Sequence, residues 1–350
     1  MTLSSILSPA EQNDELTLVI GTYNNPNQPG IFSFYFDQTN AHVEPLDSFN
    51  LRNPSYLTFG NDGNLIFAVS ELSEDNSTIS TLSLNRESGA FEEIDRKFLT
   101  GSPCYVSVLN DMAYTANYGG GSVNAVKFDS QGKILSVEEI FKGGLGGPDG
   151  SRQNLPHVHC VIPTPDNSGL IVSDFSADKL YFLSDGKTPR AIKVNKDTGP
   201  RHIVFDKKGE HAYMIGELSG DVTVFGYENG DLRSKQVVTA DSVHERASAD
   251  IHISPDGQHL YVSNRRKNDG LSIFEINSQD GSLTYVGYQH TGPHPRHFNI
   301  TPNGKYVLVA CRDNNSIEIY LRDPTTGLLS PTGQKIEIPK PVNVQFAPNK

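Results

Sequence analysis

Cysteine is scarce in this sequence, and long apolar runs are missing. The 350 residues include three cysteines, Cys104, Cys160 and Cys311, which are too few and too widely spaced for a disulfide framework or a zinc site. No apolar run approaches the length that spans a membrane. The N-terminal stretch 1–9 has no basic region, and its apolar run is too short for a signal peptide. We therefore expect a cytoplasmic protein.

Positive charge is also in deficit. Lysine and arginine number 29 against 41 aspartates and glutamates, which gives a formal net charge of −12 at pH 7. This balance disfavours nucleic acid or an anionic membrane surface as a partner. An anionic small molecule is still a possible partner, provided that cationic side chains converge locally. The sequence leaves both a monomer and a dimer open.

Helical patterns are absent as well. No amphipathic helical pattern extends beyond two turns, and there is neither a strand–helix phosphate loop nor a Gly-x-Ser-x-Gly nucleophile elbow. The chain instead holds 31 glycines and 21 prolines, many of them in turns between short apolar runs. This pattern favours an all-β chain.

One stretch recurs along the chain. Residues Gly199–Glu217 read as a short strand, a polar turn ending in Gly209, and a second strand. Similar units turn at Asn-Asp-Gly 61–63, Pro-Asp-Gly 255–257 and Pro-Asn-Gly 302–304, with weaker copies at 103–118 and 157–175 and a half-copy at 341–346. The prolines that open these units stand 44 to 53 residues apart, with one double step of 95 residues. A period of this size indicates a repeat architecture.

A second glycine turn follows in each full unit, at Gly89, Gly132, Gly230, Gly281 and Gly327. Four short antiparallel strands per unit and seven units predict a seven-bladed β-propeller, as one domain over residues 16–350 after a lead-in at 1–15. Three N-terminal strands lack a first partner, and the C-terminal strand lacks followers: Leu16–Ile20, Ile31–Phe36, Val43–Phe49 and Val342–Phe346. We expect these four strands to form one blade that closes the ring, because closure removes free sheet edges.

Counting outward from the turns gives two rings of equivalent positions at one mouth of the channel. The first ring, at the start of the innermost strands, comprises Ser55, Cys104, His159, Arg201, Ala249, Arg296 and Val342. The second ring, at the end of the next strands, comprises Thr22, Glu71, Tyr118, Phe175, Glu217, Arg265 and Arg312. Residues that serve only packing should look alike from blade to blade. These positions vary, which favours a functional site.

The residue types at these stations suit an anionic substrate with an ester bond. Arg201 and Arg265 present planar forks that bind phosphate or carboxylate groups. Glu217, paired with His159, can handle the proton of an attacking water, and arginines can stabilise a lactone oxyanion. The alternative is that the arginines form ion pairs between blades and are architectural.

The histidines do not form a recognisable metal motif. His157 and His159 face the same way on a strand, but no third ligand accompanies them in register, so we expect no metal ion. His290, His294 and His297 cluster in the sequence, two of them beside prolines, and we interpret them as rim residues. No cofactor is expected.

Seven short segments carry a family resemblance. They are Gly21-Thr-Tyr23, Ala116-Asn-Tyr-Gly-Gly-Gly-Ser122, Arg152-Gln-x-x-Pro-His-x-His159, Gly199-Pro-Arg-His202, Gly216-Glu-Leu218, Ser263-Asn-Arg265 and Pro295-Arg296. Together they resemble the β-propeller lactonase family, which includes the propeller-type 6-phosphogluconolactonases and the fungal carboxymuconate lactonizing enzyme. The resemblance covers nearly the whole chain, from about Leu16 to Phe346.

The resemblance implies a set of site residues. The catalytic set falls on His159, Arg201, Glu217 and Arg265. We predict in addition a substrate-binding set of Arg152, His157, His202, Arg296, Tyr118 and Asn264. The run Ala310-Cys-Arg312 departs from the Ala-Asn-Gln-like run of the family, which can alter one wall of the site and with it the substrate.

The function implied by the resemblance is hydrolysis of a sugar lactone, foremost 6-phosphogluconolactone of the pentose phosphate route. Two alternatives stay open. One is the reverse chemistry, in which a lactone is closed on a muconate-type diacid. The other is a propeller that only binds a ligand or partner. The blade-specific histidine, arginine and glutamate residues favour an enzyme.

Overall fold

The computed structural model describes residues 14–73 and 76–348, and the regular structure of these ranges is almost entirely β-strand. In chain order the strands are β1 (Glu15–Thr22), β2 (Ile31–Asp37), β3 (His42–Phe49), β4 (Pro54–Phe59), β5 (Leu65–Ser70), β6 (Thr78–Leu84), β7 (Phe91–Phe98), β8 (Pro103–Leu109), β9 (Met112–Asn117), β10 (Ser122–Phe128), β11 (Ile134–Lys142), β12 (Val158–Pro163), β13 (Leu170–Asp174), β14 (Lys179–Leu183), β15 (Arg190–Lys193), β16 (Pro200–Phe205), β17 (His211–Gly216), β18 (Asp221–Glu228), β19 (Asp231–Thr239), β20 (Ile251–Ile253), β21 (His259–Asn264), β22 (Gly270–Ile276), β23 (Leu283–His290), β24 (Pro295–Ile300), β25 (Tyr306–Cys311), β26 (Ser316–Arg322), β27 (Leu329–Glu337) and β28 (Pro341–Phe346). Single 3₁₀ turns occur at Arg266–Asn268 and Arg312–Asn314. Within the described ranges, no helix is long and apolar enough to cross a membrane.

Seven four-stranded antiparallel sheets form the blades. Six of them take four consecutive strands each, whereas the seventh has the order β28-β1-β2-β3. In that blade Ile20 of β1 pairs with Val344 of β28 on one side and with Phe32 of β2 on the other. The C-terminal strand therefore closes the ring, which confirms the predicted seven-bladed propeller. Residues 1–13 of the predicted lead-in lie outside the described residues.

Apolar layers between neighbouring blades hold the ring together. In several blades the second strand is buried along its whole length, as in β17, β21 and β25. One layer packs Val19 and Ile31 of the closing blade against Leu57 and Ile66 of the next blade. Full burial of one such side chain contributes roughly 1.5–3 kcal/mol. Packing between blades therefore contributes to the stability of the ring.

The glycine turns gather at one face of the ring. Gly257 and Gly281 have φ values of 74° and 73°, a left-handed conformation that glycine adopts without a steric penalty. At the opposite face, the start of the innermost strand meets the end of the second strand, as Pro200 meets Gly216 in β16 and β17. The variable loops lie at this second face, where sites are commonly built on rigid scaffolds.

Candidate active site

Bulges shape the mouths of the innermost strands. In β4, β8, β12, β16, β24 and β28 the ladder skips one or two residues near the strand start: Ser55, Cys104, His159, Arg201 with His202, Arg296 and Val342. A bulge leaves its extra residue unpaired and re-aims the side chain. Six members of the first ring predicted from the sequence are therefore bulged residues. The seventh, Ala249, precedes β20.

Residues of the second ring form backbone hydrogen bonds with the residues that precede the first ring in the same blade. The backbone N–H of Glu217 donates to the carbonyl of Gly199 at 2.9 Å, and that of Glu71 donates to the carbonyl of Asn53 at 3.0 Å. Each of these residues thus stands beside the bulge of its own blade. The scaffold holds both side chains at the same height on the rim.

One position of the second ring was assigned wrongly. In the closing blade the equivalent hydrogen bond is made by Tyr23, whose N–H donates to the carbonyl of Lys340 at 3.0 Å. Thr22 is instead fully buried, and its hydroxyl donates to the carbonyl of Gly30. The irregularity between Gly21 and Thr22 shifts the register by one residue, so Tyr23 belongs to the ring.

Three arginines surround Glu217. Its Oε2 accepts a hydrogen bond from Arg201 Nε at 3.0 Å, and its Oε1 lies 3.2 Å from Arg265 Nη2 and accepts a hydrogen bond from Arg152 Nη2. Burial alone would raise the pKa of Glu217, but Arg265, Arg201 and Arg152 outweigh it and lower the pKa to about 2. Glu217 is therefore an anion at neutral pH. Three guanidinium groups around one carboxylate leave two positive charges in excess.

Backbone carbonyls hold two of these arginines. Arg201 Nη1 donates to the carbonyl of Ala249 at 2.5 Å, and Arg265 Nε donates to the carbonyl of Ala247 at 2.6 Å. Arg201 belongs to one blade, while Ala247 and Ala249 lead into the next. Arg265 lies in the blade into which Ala247 leads, so its contact between blades is the ion pair with Glu217. The ion pair between blades that the sequence left open is therefore present for Arg265, whereas Arg201 joins the blades through the Ala249 carbonyl. Arg152 is the most accessible of the three, with 28% of its side chain exposed.

Arg152 comes from the glycine-rich loop between β11 and β12. Its Nη1 donates to the carbonyl of Arg246 at 2.8 Å, and its guanidinium carbon lies 5.3 Å from the centre of the Phe175 ring. Arg246 was not among the predicted site residues, because its blade-to-blade loop contains no glycine turn or repeat signal. The loop contact fixes Arg152 against Glu217.

An aromatic and imidazole wall stands beside the cluster. His157 stacks on Tyr118 with ring centres 4.1 Å apart and an interplanar angle of 3°, and its Nδ1 lies 2.7 Å from the Tyr118 carbonyl. His159 is buried with Nδ1 3.8 Å from Cys104 Sγ. Burial, followed by Arg201, holds the pKa of His159 well below its usual range. His159 is therefore neutral at pH 7.

The expected pairing of Glu217 with His159 is not found. Across the described residues no hydrogen bond joins the two side chains, because the oxygens of Glu217 are taken by arginines. The imidazole instead faces the Cys104 sulfur and the edge of the Tyr118 ring. A direct Glu217–His159 proton relay thus has no support in this geometry.

Asn264 does not present a polar group to the site. It is fully buried, its Nδ2 donates to the Ala240 carbonyl and the Ser272 hydroxyl at 3.1 Å each, and its Oδ1 accepts from the Ser248 hydroxyl at 2.7 Å. Its substrate-binding assignment is corrected to a bracing role next to Arg265.

His202 lies in the channel wall rather than at an open rim. Its Nδ1 is 2.8 Å from Asp250 Oδ1, and both residues are buried. Burial, followed by Arg201, lowers the pKa of His202 to about 4 even though Asp250 opposes this shift. The side chain is therefore neutral at pH 7. Its side chain is hydrogen-bonded to Asp250 inside the channel, so the structure gives no support to substrate binding by His202.

One aspartate and two histidines in the channel are arranged like a set of metal ligands. Asp250 Oδ2 lies 3.0 Å from His252 Nε2 and 3.6 Å from His297 Nε2, and the three ligand atoms lie within 4.8 Å of one another. However, the N–H of Val344 donates to His297 Nδ1 at 3.3 Å. This bond leaves the proton of the neutral ring on Nε2, so that atom has no free lone pair for a metal ion. His297 Nε2 is buried and has no hydrogen-bond partner among the described residues. We assign a hydrogen-bond network here, and the interpretation of His297 as a rim residue was wrong because it is buried.

A second carboxylate–arginine pair occupies the same rim. Glu71 Oε2 accepts a hydrogen bond from the Tyr23 hydroxyl at 2.7 Å and lies 3.4 Å from Arg296 Nη2. The Arg296 guanidinium carbon stands 5.3 Å from the centre of the Tyr23 ring. Arg296 was predicted as a substrate-binding residue, whereas Glu71 and Tyr23 were not. Glu71 could have been found from the sequence, because it occupies the position in its blade that Glu217 occupies in another blade.

Known proteins share this scaffold. A family model described as "Lactonase, 7-bladed beta-propeller" matches residues 17–346. The chain belongs to this lactonase family. Among lactonase relatives, the 6-phosphogluconolactonase of Bacillus subtilis is 31% identical over 342 residues, covering 93% of this chain and 97% of that protein. The resemblance seen in the sequence is confirmed.

Solved structures agree with this membership. A candidate 6-phosphogluconolactonase from Bacteroides uniformis has a TM-score of 0.91 at 44% identity, covering 95% of this chain and 100% of that one. The periplasmic gluconolactonase of Pseudomonas aeruginosa has a TM-score of 0.89 at 28% identity, covering 95% and 99%.

Proposed function

We propose that this lactonase-family protein hydrolyses 6-phosphoglucono-1,5-lactone to 6-phosphogluconate. The observation that carries the proposal is the presence, on one rim, of an arginine cluster with excess positive charge and a second, neutral carboxylate–arginine pair. Two related proteins, from B. subtilis and Formosa agariphila, are named 6-phosphogluconolactonase and align along most of the chain. These similarities support the proposal.

The distribution of charge gives the substrate an orientation. A phosphate monoester carries between one and two negative charges near pH 7, so it belongs beside Arg152 and Arg265, where positive charge exceeds the charge of Glu217. The lactone carbonyl is uncharged and belongs beside Glu71 and Arg296, whose charges cancel. The rim concentrates positive charge although the whole chain is acidic, and such local focusing is sufficient to attract an anion.

Unphosphorylated glucono-1,5-lactone is the second candidate substrate. The solved gluconolactonase of P. aeruginosa has the same fold at 28% identity, which favours this reading. The two substrates share the ring and the ester bond and differ only in the phosphate. The cytoplasmic location expected from the sequence stays a prediction, as does the monomeric or dimeric state.

Steady-state hydrolysis of both lactones tests the proposal. Each rate is corrected for spontaneous ring opening, with heat-denatured protein as the blank. A charge-assisted contact to the phosphate is worth about 1.5–3 kcal/mol, so we expect kcat/KM to be roughly 10–150 times higher for the phosphorylated lactone. Equal values for the two lactones would assign the unphosphorylated substrate. No acceleration of either would overturn lactone hydrolysis.

A further inference from the structure

The two rim carboxylates, Glu217 and Glu71, differ in how many of their oxygens contact other side chains. Both oxygens of Glu217 are held by arginines, and 9% of its side chain is exposed, against 24% for Glu71. Glu71 uses only Oε2, which contacts Tyr23 and Arg296. Across the described residues no hydrogen bond reaches Glu71 Oε1. One oxygen of Glu71 is therefore free to accept a proton.

We propose that Glu71 is the general base of the hydrolysis and that Arg296 beside it stabilises the oxyanion. Glu217 then serves to assemble the arginines that bind the anionic group. The inference rests on the proposed lactone hydrolysis and reassigns the base from Glu217, where sequence analysis had placed it.

Glu217 is poorly suited to take a proton. Its negative charge balances three guanidinium groups, so protonation would leave those cations facing one another in a buried cluster. General-base efficiency falls as the conjugate acid becomes stronger. The arginines that hold Glu217 therefore also remove its basicity.

The contacts of Tyr23 and Arg296 are compatible with Glu71 as the residue that accepts the proton. The Tyr23 hydroxyl donates to Oε2, which leaves Oε1 as the oxygen that can accept a proton. Arg296 donates toward Glu71 through Nη2 only, while a guanidinium has five N–H donors. Among the described residues no hydrogen bond engages Arg296 Nε or Nη1. These donors are available for an oxyanion.

Cys104 is under the electrostatic influence of both groups. Burial and then Glu71 raise the pKa of its thiol, while Arg296 and Arg201 lower it. The same Cys104 sulfur is 3.8 Å from His159 Nδ1. Glu71 thus acts on the same channel mouth as the predicted catalytic residues.

The proposed step conserves atoms and charge. Glu71 Oε1 takes one proton from a water molecule while the water oxygen bonds to the lactone carbonyl carbon. The carbonyl oxygen becomes an oxyanion and is stabilised by Arg296. The intermediate then collapses, the bond from the carbonyl carbon to the ring oxygen breaks, and the ring oxygen receives the proton from Glu71. The product is the hydroxy acid, which loses its acid proton to solvent at neutral pH.

Paired variants test this assignment. Glu71→Gln should lower kcat by about 10²–10⁴-fold while the Kd for 6-phosphogluconate, measured by calorimetry, and the Tm stay close to wild type. Glu217→Gln is the comparison at the equivalent station, and it should raise KM and lower the Tm. Glu71→Asp keeps the charge opposite Arg296 with a shorter reach, so it should fold and retain partial kcat. This second variant gives the result if Glu71→Gln does not fold.

The outcomes separate the two proposals. A wild type that accelerates neither lactone overturns the proposed function and the inference with it. An active wild type whose Glu71→Gln and Glu71→Asp variants keep kcat overturns the assignment of Glu71 alone. An active wild type in which only Glu217→Gln loses kcat, at unchanged KM, returns the base to Glu217.

Discussion

The side chain of Arg152 is held by the backbone of Arg246, through a hydrogen bond of 2.8 Å from Nη1 to the carbonyl oxygen. Arg246 is itself fixed, because its guanidinium bridges Asp149, in the same loop as Arg152, and Asp197, in the loop between β15 and β16, at 2.7 Å each. Three loops between blades are thereby joined at the point where Arg152 meets Glu217. The position of the accessible arginine of the cluster depends on this bridge.

Removal of the bridge should weaken substrate binding without stopping the chemistry. In Arg246→Ala the loops lose their common anchor, and Arg152 is no longer held against Glu217. We expect KM for the phosphorylated lactone to rise by roughly 3–10-fold with kcat nearly unchanged, the pattern of lost uniform binding. Arg233→Ala is the matched control, because Arg233 is an exposed arginine whose ion pair is with Asp231. An unchanged KM in Arg246→Ala would contradict the positioning role.

Loss of the Glu217 charge should destabilise the whole propeller. Glu217→Gln leaves three arginines without their shared counter-ion in a buried cluster, and breaking a buried pair in this way costs about 3–5 kcal/mol. Urea unfolding of the variant and the wild type measures the difference in free energy of unfolding. Glu139→Gln, on the exposed strand β11, should change it by about 0.5 kcal/mol or less. Equal effects of the two substitutions would show that the cluster does not contribute to stability.

Two of the buried titratable groups, His202 and Glu217, make specific contributions to the pH dependence of stability. Burial and Arg201 lower the pKa of His202 from 6.5 to about 4, so between these values the unfolded chain binds a proton that the folded chain does not. Stability should therefore fall as pH drops from 6.5 towards 4. A further loss should follow below 4.5, as pH approaches the Glu217 pKa of about 2.

Urea unfolding at pH 7.5, 5 and 3.5 measures these losses. In His202→Asn the first decrease should be smaller, because the new side chain does not titrate while it can still donate to Asp250. In Glu217→Gln the decrease below pH 4.5 should be smaller. A free energy of unfolding that stays constant from pH 7.5 to 3.5 would contradict both assignments.

Ring closure can be tested by truncation. Deletion of residues 341–350 removes β28, whose Val342 and Val344 are buried and whose pairing with β1 completes the closing blade. The Tm should fall strongly. Without β28, β1 becomes a free sheet edge, and the apolar layers on both sides of the closing blade lose the side chains that β28 contributes. Deletion of residues 349–350 alone keeps β28 and should leave the Tm unchanged. A truncated chain that melts like the full one would contradict closure by β28.

Local signals account for how well the fold was predicted. The turn glycines and the prolines that open the units recur at similar spacings along the chain, so signals that are weak individually reinforce one another. The stations of Arg201, Glu217 and Arg265 could be counted because each lies at a fixed distance from its turn. The closing blade followed from the unpaired strands at the two ends.

The remaining errors concern contacts between blades. The bulge near Thr22 is set by pairing with the C-terminal strand, so the register of Tyr23 could not be read locally. Glu71 finds its partners 48 and 225 residues away, in Tyr23 and Arg296, and no local pattern predicts that meeting. Asn264 lies in the segment Ser263-Asn-Arg265 that carries the resemblance, but neighbouring residues of a strand point to opposite faces.

A structure of the protein with bound 6-phosphogluconate tests the central claim most directly, namely that one ligand spans both carboxylate–arginine groups of the rim. The account predicts the phosphate beside Arg152 and Arg265, and the carboxylate that derives from the lactone carbonyl within about 2.6–3.2 Å of Arg296, next to Glu71. A ligand bound in the opposite orientation would contradict the proposed division of the site. A ligand bound away from this rim would contradict the site itself.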